Sequence, residues 1–225
     1  MAPLTRRLLR GSHYVAVDMD RPFLDETIGR VVASNPNITV AGIQTSFDNF
    51  PEIVGLIQGP KLIVSLGSNL LNHPDPRQQM RPIVEKMSPG DMIYLSIDCH
   101  DMEDEKKVEE SYKCPDFMEF INGTLELIEG YKAEQWEMSS GLRMEPTPRY
   151  SFTLTAKENV KIRDELYPKD SSIEFFPCYK SNPPAVKALA AELGLTVLGS
   201  SSLTNSKMCM PSSLPPSVWD FRFTS

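Results

Sequence analysis

The sequence has no surplus of basic charge, no long apolar run and no paired cysteines, and each lack excludes a class of protein. Across 225 residues, 23 lysines and arginines face 30 aspartates and glutamates, a net charge of -7. Binding a phosphate backbone needs a basic surface, so nucleic acid is disfavoured as the main partner. The one basic cluster, Arg6, Arg7 and Arg10, reads as a solvated helix face. No apolar stretch approaches the ~18 residues of a membrane span. Residues 1–10 lack the apolar core of a signal peptide, so a cytoplasmic location is expected. Cys99, Cys114, Cys178 and Cys209 form no CxxC pair, and with three scattered histidines they show no metal-ligand spacing. Reduced, buried thiols are expected instead. What is present is 40% hydrophobic residues, enough for the core of one domain with a modest lobe.

The first part of the chain alternates strand-forming runs with helix-period segments. Residues 14–18 (Tyr-Val-Ala-Val-Asp) form a strand ending in an acid. Asp20 caps a helix with Pro22 in its first turn and Leu24, Ile28, Val31 and Val32 on one face. Residues 38–43 give a second strand, and residues 61–67 a third, apolar enough to be buried on both faces. A helix from Asp75-Pro76 carries Met80, Ile83, Val84 and Met87, and the turn at residues 88–90 leads into a strand over 92–98. This alternation implies a doubly wound, mainly parallel α/β sheet.

Beyond it, residues 103–112 read as a charged helix. Residues 116–129 read as a second helix burying Phe117, Phe120, Ile121, Leu125 and Ile128. Residues 150–156 alternate with period two, and residues 173–176 form a short strand. Asn182 caps a helix with Val186, Leu189, Ala190 and Leu193 inward and Gly194 as its stop. Residues 195–198 and 218–223 close the sheet as an antiparallel pair.

Ligands of open α/β sheets bind at the carboxyl ends of the strands. Asp18 stands at one such end, where a carboxylate can accept both hydroxyls of a ribose; the competing role, helix cap, already falls to Asp20. After the second strand, Ser46, Phe47 and Asp48 offer a ring to stack on a purine and an acid to accept from its amine, unless Phe47 is core. After the third, Gly67 lets a ligand approach the backbone. Asn72 offers the donor and acceptor suited to an amino-acid carboxylate and amine, or else the segment is a simple turn.

These motifs, in this order, resemble the histidine-specific, S-adenosylmethionine-dependent methyltransferases of the ergothioneine pathway. They are closer still to the fungal relatives that N-methylate 4-dimethylallyltryptophan. Residues 14–18 with Met19 resemble the strand bearing the family's ribose-binding acid. Residues 42–49 are similar to a fungal Gly-Thr-Tyr-Asp-Asp stretch, implying adenine contact by Phe47 and Asp48 with Ser46 beside them. Leu66-Gly67-Ser68-Asn69-Leu70-Leu71-Asn72 resembles a Leu-Gly-Ser-Thr/Ser-Ile-Gly-Asn loop. That likeness implies Gly67 and Ser68 at the cofactor and Asn72 on the substrate's carboxylate and amine. Gly90-Asp91 and Ile97-Asp98 match the motifs around the next strand. Ser111-Tyr112 implies Tyr112 as a second carboxylate contact, residues 149–160 a substrate-lobe strand, and Cys178-Tyr179-Lys180 a late Ser-Tyr-Lys.

The resemblance implies a cofactor-binding α/β domain over 1–115, truncated and lacking the usual first strand, a small α+β substrate lobe over 116–180, and a C-terminal helix with closing strands over 181–225. It implies a small-molecule substrate, S-adenosylmethionine as methyl donor, and a place in alkaloid-type secondary metabolism. Three departures qualify it. The family's central first strand and its glycine-rich loop have no counterpart, so donor binding is expected to be weakened or lost. A homo-oligomer or a complete paralogue would then fill the gap left by the strand. Ser151 stands where the histidine enzymes carry a glutamate for the imidazole, which argues against histidine as substrate. Leu71 replaces a loop glycine, and Lys113-Cys114 replaces an Asn/Asp-Asp pair. The expected activity is N-methylation of an amino acid or an amino-acid-derived, indole alkaloid-type metabolite. The alternative is a pseudoenzyme of methyltransferase fold serving as cyclase, binding protein or partner of a paralogue.

Overall fold

A computed structural model describes residues 12–67, 69–99, 109–110, 112–144, 147–203 and 217–224. The chain divides into two compact units. One comprises residues up to Gly59 together with Pro82–Met87, the other Pro60–Arg81 together with Ser88 onward.

In the first unit the β-branched run from His13 forms β1 (His13–Asp18), parallel to β2 (Thr39–Gln44), with Tyr14 opposite Val40 and Asp18 opposite Gln44. Between them lies α1 (Arg21–Ser34). The Asp20 carboxylate accepts from the Phe23 amide at 2.7 Å, and Pro22 occupies the first turn, as a cap-and-proline start requires. The buried stripe of α1 is narrower than its sequence implies. Leu24 and Val31 are buried, whereas Val32 is exposed. Helix and strand approach closely at Gly42, where a Cβ would stand 2.3 Å from Ile28 Cδ1. A 3-10 turn, Phe47–Asn49, runs into α2 (Phe50–Leu56), which buries Ile53 and Val54.

The second unit contains a four-stranded sheet ordered β10-β11-β4-β3. Here β3 (Leu62–Ser65) runs parallel to β4 (Met92–Cys99). The closing strands β10 (Thr196–Leu203) and β11 (Ser217–Thr224) form the expected antiparallel pair, with β11 also antiparallel to β4. Two helices accompany them, α3 (Pro76–Glu85), of which the part up to Arg81 belongs to this unit, and α5 (Pro183–Glu192). The latter starts at Asn182, whose side chain accepts from the Ala185 amide at 2.9 Å. Met80, Leu95, Val186, Ala190 and Leu195 pack there as a core.

The expectation that residues 61–67 are buried on both faces fails. Among the described residues β3 pairs only with β4, and Leu62 and Leu66 are exposed. An apolar run fits an edge strand as well as a central one, and only long-range pairing tells them apart. Likewise β1 pairs only with β2 among the described residues.

A three-stranded antiparallel sheet follows, ordered β5-β6-β9, from β5 (Trp136–Arg143), β6 (Arg149–Ala156) and β9 (Ser172–Tyr179). A small hairpin joins β7 (Val160–Ile162) to β8 (Glu165–Tyr167), and α4 (Pro115–Glu126) supplies Ile121 and Leu125 to the core with Tyr150, Phe152, Leu154 and Val160. Three sequence expectations are corrected here. Phe120 is 53% exposed and Ile128 is also exposed, because the buried stripe of α4 runs through Ile121 and Leu125. The run 150–156 does not alternate in burial, since Ser151 and Thr153 are buried on its second face. The thiols of Cys114 and Cys178 are free but only half-buried. The expected charged helix over 103–112 lies mostly outside the described residues. No helix among the described residues is long and apolar enough to cross a membrane.

Candidate functional site

Two groups of polar residues stand at strand ends, one in each unit. In the first unit the parallel pairing of β1 and β2 brings their carboxyl ends together. The Thr45 amide donates to the Asp18 carbonyl at 3.0 Å, so the Ser46–Phe47–Asp48 turn begins beside Asp18. One carboxylate oxygen of Asp18 accepts from the Asp20 amide at 2.9 Å, which fixes the side chain at the mouth of the turn. Asn49 holds the turn from the far side by donating to Thr45 Oγ1 at 2.9 Å. Phe47 is 40% exposed, so it is not a core residue, and Asp48 is exposed next to it. A fixed carboxylate, an uncovered ring and a second acid on one rim match the acceptors and stacking face that an adenosine needs.

In the second unit Gly67 turns the chain out of β3 at φ +79°, a conformation open to glycine at little cost. Ser68 lies outside the described residues. The 3-10 turn Asn69–Leu71 buries Leu70 and Leu71, so Leu71, at the family's glycine position, is part of the core. Asn72 follows, and its Oδ1 accepts from the Tyr179 amide at 2.8 Å. Because the oxygen is used, the two Nδ2 hydrogens are the donors that Asn72 offers outward.

Tyr112 is buried, its ring stacked on Tyr150 at 4.4 Å and 9° and packed edge-on against Phe117 at 5.3 Å. Its hydroxyl donates to Cys178 Sγ at 2.8 Å and accepts from Lys180 Nζ at 2.5 Å. Lys180 is only 6% exposed, and its ammonium stands 4.8 Å above the Tyr112 ring. A buried lysine needs specific partners to hold its charge. Three consecutive residues, Cys178, Tyr179 and Lys180, therefore hold both Asn72 and Tyr112. The role of Lys180 was not visible in the sequence beyond its place in a short late motif.

Ser151 lies elsewhere. It faces Gly141 across an unbroken β5–β6 ladder, so it points to the face opposite Tyr150, and hence away from Tyr112. It is 1% exposed, and its hydroxyl makes no full hydrogen bond. Beside it Glu174 on β9 is gripped by Arg149 at 2.8 and 3.1 Å, with Arg143 at 3.6 Å. The Arg149 guanidinium foremost, with help from Ser151, holds the Glu174 carboxyl below its usual range against the effect of burial. Nothing local in the sequence marks this carboxylate, because only strand pairing sets it next to position 151.

Residues 2–210 match a family described as histidine-specific methyltransferase, SAM-dependent. No curated protein matches the chain. Among solved structures it is similar to a SAM-dependent methyltransferase from Methanosarcina mazei, at 11% identity and a TM-score of 0.48 over 96% of this chain and 82% of that one. It is also similar to an S-adenosylmethionine-dependent methyltransferase from Clostridium acetobutylicum, at 11% identity and a TM-score of 0.43 over 93% of this chain and 74% of that one.

Proposed function

The chain belongs to the histidine-specific, SAM-dependent methyltransferase family, and from that premise we propose that it is a cytoplasmic N-methyltransferase of an amino acid or an amino-acid-derived, indole alkaloid-type metabolite other than histidine. The observation that carries this reading is the tie of Asn72 and Tyr112 to residues 178–180. Asn72 Nδ2 and the Lys180 ammonium are donors suited to a carboxylate, and the Tyr112 phenol, whose one proton goes to Cys178 Sγ, holds Lys180 in place. An amino acid presents that carboxylate next to its amine.

In this reading Asp18 holds the ribose hydroxyls of S-adenosylmethionine, Phe47 stacks on its adenine, Asp48 accepts from the adenine amine and Ser46 lies beside them, while Gly67 and Ser68 keep the cofactor role that the resemblance implies. The donor supplies a methyl group on a sulfonium, open to in-line attack by a neutral amine. The chain's own part is to position: Asn72 and Lys180, the latter held by Tyr112, fix the carboxylate and thereby orient the amine, which turns a bimolecular encounter into an oriented one. The exclusion of histidine rests on the resemblance, which sets Ser151 where the histidine enzymes carry a glutamate; Ser151 itself lies on the sheet face opposite Tyr150 and takes no part in the carboxylate site.

Calorimetric titration with S-adenosylhomocysteine tests the cofactor half. Binding is expected, with Asp18→Ala and Phe47→Ala each weakening it about tenfold, the worth of one charged hydrogen bond or one stacked base. No heat at millimolar ligand would reject the methyltransferase reading. A second reading, a pseudoenzyme that binds but does not turn over or that pairs with a homo-oligomeric copy or paralogue, draws on the one-sided pairing of β1 and β3 among the described residues. It predicts S-adenosylhomocysteine binding at most weak, with no methyl transfer to any amino acid.

A further inference from the structure

The three-stranded sheet and α4 line a half-open pocket of about 320 Å3 that the residues discussed so far do not use. We propose that this cavity is a binding site for a small aromatic carboxylate. The ring would lie among Met118, Met138 and Phe152, and the carboxylate would be held by Lys113 with Ser140.

Size comes first. Protein interiors leave few voids larger than a water molecule. A cavity of roughly 150 Å3 already admits benzene, and small-molecule sites begin near ~300 Å3. This one has room for a ring with a short acidic tail.

Chemistry selects the ring. Phe152 is 1% exposed and fixed by Phe117 at 6.0 Å and Phe175 at 5.8 Å, so it forms a rigid wall. Met118 and Met138 face the same space and are only partly buried. Thioethers on unbranched chains adapt to a flat, polarisable guest and contact aromatic edges favourably. None of these three offers a partner to a ring N–H, so a phenyl-type ring fits and an imidazole does not.

Chemistry also selects the acid. Lys113 is the one charged residue of the lining. It pairs with Glu109, but both side chains are largely in water, at 52% and 39% exposure, so screening leaves the ammonium easy to recruit. Ser140 Oγ accepts from the Tyr150 hydroxyl at 3.0 Å, which leaves its own proton to donate into the cavity. A cation and one hydroxyl donor in an otherwise apolar lining select a ligand with an anionic head and an apolar body. The site lies wholly within the second unit, and its occupancy requires no methyl donor.

The test titrates the full chain with 3-phenylpropionate and follows the methionine methyl signals by NMR, with Met118→Leu and Met138→Leu identifying the two reporters. The signals of Met118 and Met138 should shift with saturation at low-millimolar ligand or below. The neutral amide, 3-phenylpropionamide, should bind about tenfold more weakly, as the loss of one charge-assisted contact implies. The exposed substitution Lys113→Gln should reproduce that loss on the acid, and 3-(imidazol-4-yl)propionate should not compete. Met138→Trp, which fills the space, should abolish the shift at Met118. If it unfolds, as circular dichroism would reveal, Lys113→Gln decides. No shift at either reporter, or equal affinity for acid and amide, would overturn the proposal. Titration of S-adenosylhomocysteine in parallel reports on the cofactor reading separately.

Discussion

Asp91 illustrates what one side chain does here. Fully buried, it accepts from the Lys61 and Ser88 amides at 2.8 Å each and pairs with the Lys61 ammonium at 2.8 Å. Burial alone would raise its pKa; the hydrogen bonds from Lys61 and Ser88 outweigh it and hold the carboxyl below the ordinary aspartate range. A carboxyl depressed by folding stabilises the fold above its unfolded pKa and loses that contribution as pH falls through the folded value. Asp91→Ala should therefore cost about 3 kcal/mol in urea unfolding at neutral pH, because it strands Lys61 in a buried site. The difference between wild type and variant should shrink only as pH falls below the ordinary aspartate pKa of about 3.9. An unchanged midpoint at pH 7 would contradict the role assigned to Asp91. Lys180 makes the complementary case for binding. Lys180→Met keeps the volume, so stability should change by less than about 1.5 kcal/mol. Binding of L-tryptophan, read by calorimetry, should weaken about tenfold through the lost charged contact. Asp91 was legible as part of a Gly-Asp motif. The use of Lys180 was not, because it depends on the pairing of Cys178 with Tyr150 and on Tyr112 arriving from a distant segment.

At the scale of elements, the parts written locally in the sequence were readable. The caps of α1 and α5 need only a side-chain oxygen and the amide three residues on, and both form where Asp20 and Asn182 stand. Asp20→Ala should cost about 1 kcal/mol in thermal or urea unfolding, the usual worth of an N-cap; no loss would mean that α1 is held by packing alone. By contrast β5 carries Ser139-Ser140-Gly141, residues of poor strand propensity, and forms because Trp136, Met138 and Leu142 face a core supplied by other segments. The bulge in β9 was equally hidden. Three residue steps of β9 answer two of β6 between Tyr150–Cys178 and Phe152–Phe175, and Phe176 absorbs the extra residue at φ +50°. The strain of a left-handed phenylalanine is offset by its contacts with Phe117 at 5.6 Å and Phe120 at 5.8 Å.

For the molecule as a whole, the division of labour follows the division of the chain. The residues proposed for the methyl donor's nucleoside, Asp18, Ser46, Phe47 and Asp48, belong to the first unit, and those proposed for a carboxylate, Asn72 and Tyr112 with Lys180, to the second. Asp18 and Asn72 stand out in the sequence, since an acid or amide just past a strand is a local signal, whereas the place of Lys180 beside Tyr112 is not a local one. How the strands would pair was not, because register and order in a sheet are long-range properties, and the separate β1-β2 and β10-β11-β4-β3 sheets could not be read from apolar runs alone. The assignment predicts separable binding. Asp18→Ala should weaken S-adenosylhomocysteine about tenfold while leaving L-tryptophan affinity unchanged, and Lys180→Met should do the reverse, since substitutions with no shared partners add independently. Calorimetry of both ligands on both variants checks it. If Lys180→Met were to weaken S-adenosylhomocysteine as strongly as Asp18→Ala does, Lys180 would belong with the methyl donor, and the substrate role of the 178–180 segment would have to be abandoned.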